Sequence, residues 1–264
     1  MLNKSGLADY AVNCYSGCGH GCLYCYARFA TRFSHPGETW GSFVDARVNA
    51  PEVLAREVKR KSPGQVVMSS VCDGWQSAEG QYGLSRQCLE LLVHYRFPVS
   101  ILTKNVLVER DLDLLCRPGA DVSLGVTVTT LDEGLRRIIE PGASPTSQRL
   151  ALLQEAACRG IRTHSFLGPL LPYLSDTEEN IDGLLKAIKD VGVEYFYVDR
   201  LNRRFGVWQA LRGMLEEYAP DLIKLYRELF FNEVIRQQYY GRTVNIIRRL
   251  AAGYGLEGKM KLCF

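Results

Sequence analysis

Cys18-Gly19-His20-Gly21-Cys22-Leu23-Tyr24-Cys25-Tyr26-Ala27-Arg28 places three cysteines in one short loop, in the pattern C-x3-C-x2-C. Three thiols this close together read as a metal-binding element. Two kinds of site could use them. A structural zinc ion wants four closed ligands, usually in two pairs. Here the fourth would be His20, cramped inside the loop, or Cys14, four residues before it. A [4Fe-4S] cube held by three thiolates keeps its fourth iron open to a ligand that is not protein. No second C-x2-C pair occurs in the chain. Gly17, Gly19 and Gly21 let the backbone fold closely around such a group. Loop N–H groups can donate to cluster sulfurs, and Leu23, Tyr24, Tyr26 and Phe29 would limit solvent.

The rest of the composition agrees with a metal site in a reducing compartment. There are nine cysteines, an odd number that argues against a complete disulfide framework. Met1 to Gly6 lacks the apolar segment of a signal peptide. No apolar run approaches the ~20 residues of a membrane span. A cytoplasmic protein without membrane contact is expected. A net charge of +3 does not by itself argue for nucleic acid. Cys88, Cys116 and Cys158 fall in helix-like runs and are expected to be small core hydrophobes.

Along the chain, short β-branched runs alternate with longer amphipathic ones. Strands are predicted at 10–15, 65–71, 99–103, 122–129, 162–167 and 194–201. Helices are predicted at 23–31, 51–61, 85–95, 109–116, 132–139, 147–159, 177–190, 207–218 and over a long region from 221 to 250. A short closing strand is expected at 260–264. Pro51 suits a first helical turn and Gly160 a helix stop. Such alternation indicates an α/β fold around a parallel sheet. Periodicity alone does not separate a barrel from a doubly wound sheet. In either, sites gather at the C-terminal ends of the strands.

The segment NCYSGCGHGCLYCYAR resembles the radical SAM superfamily, in its spore photoproduct lyase-like branch. Five further stretches are similar and in the same order: VVMSSVCDGWQSAEGQYGLSRQCLELL, FPVSILTKNVLVERDLDLL, VSLGVTVTT, IEPGASPTSQRL and THSFLGPLLP. The likeness covers roughly residues 10–200. It implies a partial (β/α)6 TIM-like barrel over residues 1–220, with a C-terminal helical extension over 221–264. The implied cofactors are a [4Fe-4S] cluster and S-adenosylmethionine (SAM). The implied activity is reductive cleavage of SAM to a 5'-deoxyadenosyl radical that abstracts hydrogen from a substrate. A reductant such as a flavodoxin or ferredoxin is the implied partner.

The same resemblance implies residue roles. Cys18, Cys22 and Cys25 ligate the cluster. Lys104 neutralises the SAM carboxylate, Asp73 and Ser70 meet its amino group or ribose, and Thr127 and Gly168 line the adenosine. Tyr24 and Tyr26 match tyrosines that relay hydrogen atoms in the lyase. Glu140 and Arg149 brace the strand ends. The lyase's hydrogen-donating cysteine aligns near Ser70, whereas this chain carries Cys72, directly before Asp73. That offset argues against copying thymine-dimer repair to this chain. A nucleic-acid substrate is one expectation from the likeness. Arg200, Arg203, Arg204, Arg236, Arg242, Arg248 and Arg249, with Tyr239 and Tyr240, could follow a phosphate backbone, although a solvated helix face is the simpler reading. The alternative from a different class is a non-catalytic Fe-S or zinc-binding module that contacts nucleic acid.

Overall fold

A computed structural model describes every residue of the chain except Phe33. The described residues form ten strands: β1 (Asn3–Lys4), β2 (Tyr10–Val12), β3 (Tyr15–Gly17), β4 (Val44–Ala46), β5 (Val66–Met68), β6 (Val99–Thr103), β7 (Val122–Val128), β8 (Arg162–Leu170), β9 (Tyr195–Arg200) and β10 (Met260–Cys263). Eight form one sheet in the order β1-β2-β5-β6-β7-β8-β9-β10. Only β1 is antiparallel to its neighbour; from β2 to β10 every pair is parallel. Space and sequence run in the same order. A doubly wound sheet would reverse at a switch point, so this is the barrel arrangement, left open between β1 and β10.

Among the described residues ten α-helices accompany the strands: α1 (Ala50–Glu57), α2 (Ser77–Tyr82), α3 (Leu84–His94), α4 (Leu112–Leu115), α5 (Glu133–Ile139), α6 (Thr146–Cys158), α7 (Glu178–Val191), α8 (Val207–Tyr218), α9 (Ile223–Phe231) and α10 (Glu233–Gly253). Their ends follow local chemistry. Pro51 sits in the first turn of α1. Thr177 caps α7 by accepting from the Asn180 N–H, and Gly192 ends it in the left-handed region at φ 77°. Every residue of β7 is buried, as expected of a parallel strand covered on both faces. Ile247 and Ala251 of α10 lie in the same apolar cluster as Val126 and Leu167 of the barrel. No helix of the described residues is long and apolar enough to cross a membrane.

Three sequence expectations are corrected. The predicted strand 10–15 is two: β2 stays in the barrel, while β3 leaves it to pair antiparallel with β4. The predicted helix 23–31 is a 3-10 stretch, Tyr26–Arg32, preceded by turns. Successive i to i−3 bonds, Cys25 N–H to Cys22 O and Arg28 N–H to Cys25 O, take the place of the α pattern, and Leu23 N–H is held by the Ile139 carbonyl at 2.9 Å. The helical region expected over 221–250 holds α9 and α10, the second started at Asn232, whose side chain accepts from Ile235 N–H. Cys88 is buried as expected, but Cys116 and Cys158 are exposed. In α6 the buried stripe is Thr146, Arg149, Leu152, Leu153 and Ala156, and Cys158 falls off it.

Candidate active site

The cysteine loop follows β3, beyond the C-terminal end of β2. Successive short turns wind it: Gly21 N–H to Cys18 O, Cys25 N–H to Cys22 O and Arg28 N–H to Cys25 O, at 3.2–3.3 Å. All three cysteines are free thiols, Cys18 and Cys22 buried and Cys25 half-buried. Cys18 packs with Ala27, Trp40 and Phe43. Cys22 packs with Tyr24, Ile139 and Leu171. Burial pushes the pKa of all three thiols up; Asp73 and then Cys25 raise Cys18 further, and at Cys22 the Lys104 ammonium opposes the raising effects of Glu140, Cys25 and Cys18. Backbone N–H groups of His20 and of Ala27 and Arg28 pull the other way at Cys18 and Cys25. Three interacting thiols in an apolar cradle fit a cationic metal cluster, which supplies the positive charge that deprotonates them.

The two fourth ligands a zinc site would need are committed elsewhere. His20 Nδ1 lies 3.5 Å from Asp73 Oδ2, and its Nε2 is 3.4 Å from Asn105 Nδ2. Cys14 Sγ faces Cys88 Sγ at 3.5 Å, in the core against α3. Among the described residues no three His, Cys, Asp or Glu side chains converge to hold a single metal ion.

Several residues that hold the loop have no sequence signature. The buried Gln76 side chain accepts from Gly19 N–H at 2.7 Å and donates to the Gly17 carbonyl at 3.3 Å. Gly142 N–H donates to the His20 carbonyl at 3.0 Å. That approach admits no side chain: a Cβ on Gly142 would stand 2.8 Å from His20 Cα and closer to the Gly19 carbonyl. Arg28 closes the other side, donating to the carbonyls of Leu23 and Cys22 at 3.1 and 3.2 Å.

The predicted SAM-contacting residues line the strand ends around this loop. Asp73 is buried. It accepts from Trp75 N–H (2.9 Å), Thr103 Oγ1 (2.7 Å) and Lys104 N–H (2.7 Å). Lys104 follows β6, its ammonium 5.7 Å from the centre of the Tyr24 ring. Burial lowers its pKa, but the surrounding Cys22, Glu140 and Asp73 outweigh that, and the net shift is upward. Among the described residues, no carboxylate comes within 4 Å of the Lys104 ammonium. Thr127 is buried in β7, and its carbonyl accepts from Arg149 at 2.9 Å. Gly168 has φ 149°, and a Cβ there would meet the Asp199 carbonyl at 2.8 Å. Its carbonyl accepts from Thr129 Oγ1 at 3.2 Å.

The two tyrosines face different surroundings. Tyr24 is buried and donates its hydroxyl to Glu140 Oε1. Tyr26 is 41% exposed and donates to the Ser70 carbonyl. Ser70 Oγ accepts from Asn13 at 3.2 Å. Cys72 packs beside Cys25 and Cys18 and donates its thiol to the Tyr15 carbonyl at 3.4 Å. Burial pushes both Tyr26 and Cys72 up to about 12. Asp199, at the end of β9, was not singled out from sequence; burial raises it to about 6.

The description of the Radical SAM superfamily matches residues 12–188 of the 264. The chain belongs to the radical SAM superfamily. An uncharacterized protein of Mycobacterium tuberculosis is 34% identical over 84% of this chain and 67% of its own length. One from Methanocaldococcus jannaschii is 30% identical over 92% and 87%. A spore photoproduct lyase variant with bound AdoMet and dinucleoside spore photoproduct superposes with a TM-score of 0.72, over 100% of this chain and 79% of the lyase, at 14% identity. Streptococcus suis SuiB bound to its precursor peptide gives 0.55, over 82% and 46%, also at 14% identity. These structures share the fold of this radical SAM protein. The cofactors of the superfamily are a [4Fe-4S] cluster and SAM, and the free, buried thiols of the loop fit the first of them.

Proposed function

We propose that this radical SAM protein is an enzyme whose cluster is held by Cys18, Cys22 and Cys25. The observation that carries the reading is the set of three thiols, two buried and one half-buried, close to the ammonium of Lys104, which among the described residues has no carboxylate within 4 Å. An amino acid's carboxylate would complete that half-buried cation through a charge-assisted pair. When bound, the cluster and SAM supply one-electron cleavage to a 5'-deoxyadenosyl radical, which abstracts hydrogen from the substrate. The residues of the chain bind, orient and exclude water. Asp73, fixed by Thr103 and Trp75, and Ser70 face the SAM amino group and ribose; Thr127 and Gly168 line the adenosine side. Tyr24 is anchored on Glu140 and holds the floor under Lys104. Tyr26 and Cys72 stay protonated at neutral pH, the state from which an O–H or S–H can give up a hydrogen atom. A flavodoxin or ferredoxin is the expected electron source.

The substrate is placed at the C-terminal mouth of the barrel, where Tyr26 is exposed. The fold relatives carry a dinucleoside in one case and a peptide in the other, and fold alone does not choose between them. Anaerobic reconstitution tests the cluster assignment. The wild-type protein is expected to show [4Fe-4S] absorption and stoichiometric iron, with Cys18→Ala, Cys22→Ala and Cys25→Ala each losing it. Zinc without iron in anaerobically purified protein would instead support the non-catalytic metal-binding alternative.

A further inference from the structure

The late arginines do not all lie on a solvated helix face. Arg200 ends β9, and Phe264 follows β10 in the neighbouring register position. Helix α10 crosses above both. The three enclose an open groove of about 780 Å³, lined by Arg200, Arg242 and Arg248 with Tyr240, and containing no acidic side chain. Arg200 also lines a second depression of about 280 Å³ with Arg203, Arg204 and Arg236, again without an acid in its wall. Arg203 and Arg236 are paired to Glu233 at 2.9 Å, and Arg249 is paired to Glu178. Among the described residues Arg200, Arg204, Arg242 and Arg248 have no carboxylate within 4 Å. Four guanidinium groups without an ion-pair partner, one of them (Arg200) lying 5.6 Å from the centre of the Tyr240 ring, therefore follow one path, from α10 over the end of β9.

That path runs to the proposed reaction site. The segment carrying Arg204 lies against the cysteine loop: a Cβ on Gly206 would stand 3.5 Å from Arg28 Cβ, and the Arg32 guanidinium is 5.6 Å from the centre of the Phe205 ring. An aromatic wall flanks the other end. Tyr173 is 39% exposed and has φ 63°, in the left-handed region that a tyrosine adopts only when held there. The hold is visible: its N–H donates to Asp176 Oδ1 at 2.7 Å and to Tyr239 Oη at 3.2 Å. Its ring meets the Tyr239 ring at 4.9 Å, and Tyr239 meets Tyr240 of the groove at 5.6 Å.

We infer that this groove binds a single-stranded nucleic acid, with the four unpaired arginines on successive phosphates and Tyr173 stacking an unpaired base. Planar guanidinium groups suit phosphate oxygens, and an exposed ring beside them suits an unstacked base rather than a duplex. An acidic peptide would use the cations but not the ring. The inference rests on the radical SAM reading only in that it delivers the strand to Tyr26; the groove itself is independent of the cluster.

The test uses reconstituted protein and a fluorescein-labelled single-stranded oligonucleotide, read by anisotropy between 50 and 300 mM salt. The wild-type affinity is expected to fall with salt, with a log–log slope of about −2 to −3 for three to four phosphate contacts. Arg242→Gln/Arg248→Gln, two exposed and unpaired positions, is expected to make that slope shallower by about 1.4. Tyr173→Ala is expected to weaken single-strand binding on the order of tenfold and to leave the slope unchanged. No binding by the wild type at 50 mM salt overturns the inference. So does an oligoglutamate of equal charge binding as tightly, which would mark a peptide surface. SAM cleavage by the wild type is followed separately. Cleavage without oligonucleotide binding defeats only the groove; binding without cleavage defeats only the catalytic reading.

Discussion

Arg149 donates to Glu140 Oε2 at 2.6 Å, and both side chains are wholly buried. Burial raises the Glu140 pKa, but Arg149 and Lys104 overcome this, so the carboxylate stays ionised. The pair joins three parts of the site. Arg149 also bonds to Thr127 O and Ser144 O, while Glu140 receives Thr129 and Tyr24. Removing one partner strands a buried charge, at a cost of about 3–5 kcal/mol. Arg149→Ala is therefore predicted to lower the denaturation midpoint sharply and to reduce iron content. Glu140→Gln strands the Arg149 guanidinium in the same way and is predicted to be destabilised as well, less than Arg149→Ala only in so far as the amide keeps the shape and an acceptor for Arg149. Urea titration with iron analysis measures both.

Gln76 offers a more selective probe of the loop. Gln76→Leu fills nearly the same space but leaves the Gly19 N–H and Gly17 carbonyl without their partner. Each buried unsatisfied group costs about 1–3 kcal/mol. Reconstituted iron per chain is predicted to fall, with little change in far-ultraviolet circular dichroism.

Gly142→Ala is predicted to act on the same loop from the opposite side. Its methyl group would press on backbone at Gly19 and His20, where no flexible side chain can yield. The expected result is slower cluster incorporation and greater loss of cluster in air. Gly213→Ala, where a Cβ meets nothing within 4 Å, is the control.

Asp176 predicts a pH dependence of stability. Burial raises its pKa from 3.8 to about 6, against the opposing effect of the Tyr239 hydroxyl. An acid whose folded value exceeds its unfolded one binds more protons when folded, so its contribution to stability falls as pH rises from about 4 to about 6. Asp176→Asn removes that titration and keeps one acceptor. Relative to the variant, the wild type is predicted to gain stability on going from pH 7 to pH 4, measured by calorimetry.

The α/β parallel sheet was legible in the sequence because its strands are short β-branched runs placed between amphipathic helices, while its barrel form was implied only by the family resemblance; the cysteine loop was legible because its chemistry lies within a few consecutive residues. What escaped depends on distant partners. Residues 23–25 look helical, yet Ile139 captures the Leu23 N–H. Nothing local distinguishes Gln76 from a surface glutamine. Cys158 shows that a helix-like run does not tell which face is buried. The Arg200 groove forms only when α10 and the chain terminus fold back over β9, so its arginines look like separate solvated residues along the chain.

The most direct test of the central claim is 5'-deoxyadenosine formation from SAM under anaerobic conditions with dithionite, comparing the wild type with Cys22→Ala. The account predicts 5'-deoxyadenosine and methionine in equal amounts from the wild type and none above background from the variant. A Cys22→Ala protein that keeps an intact cluster and full SAM cleavage would contradict it.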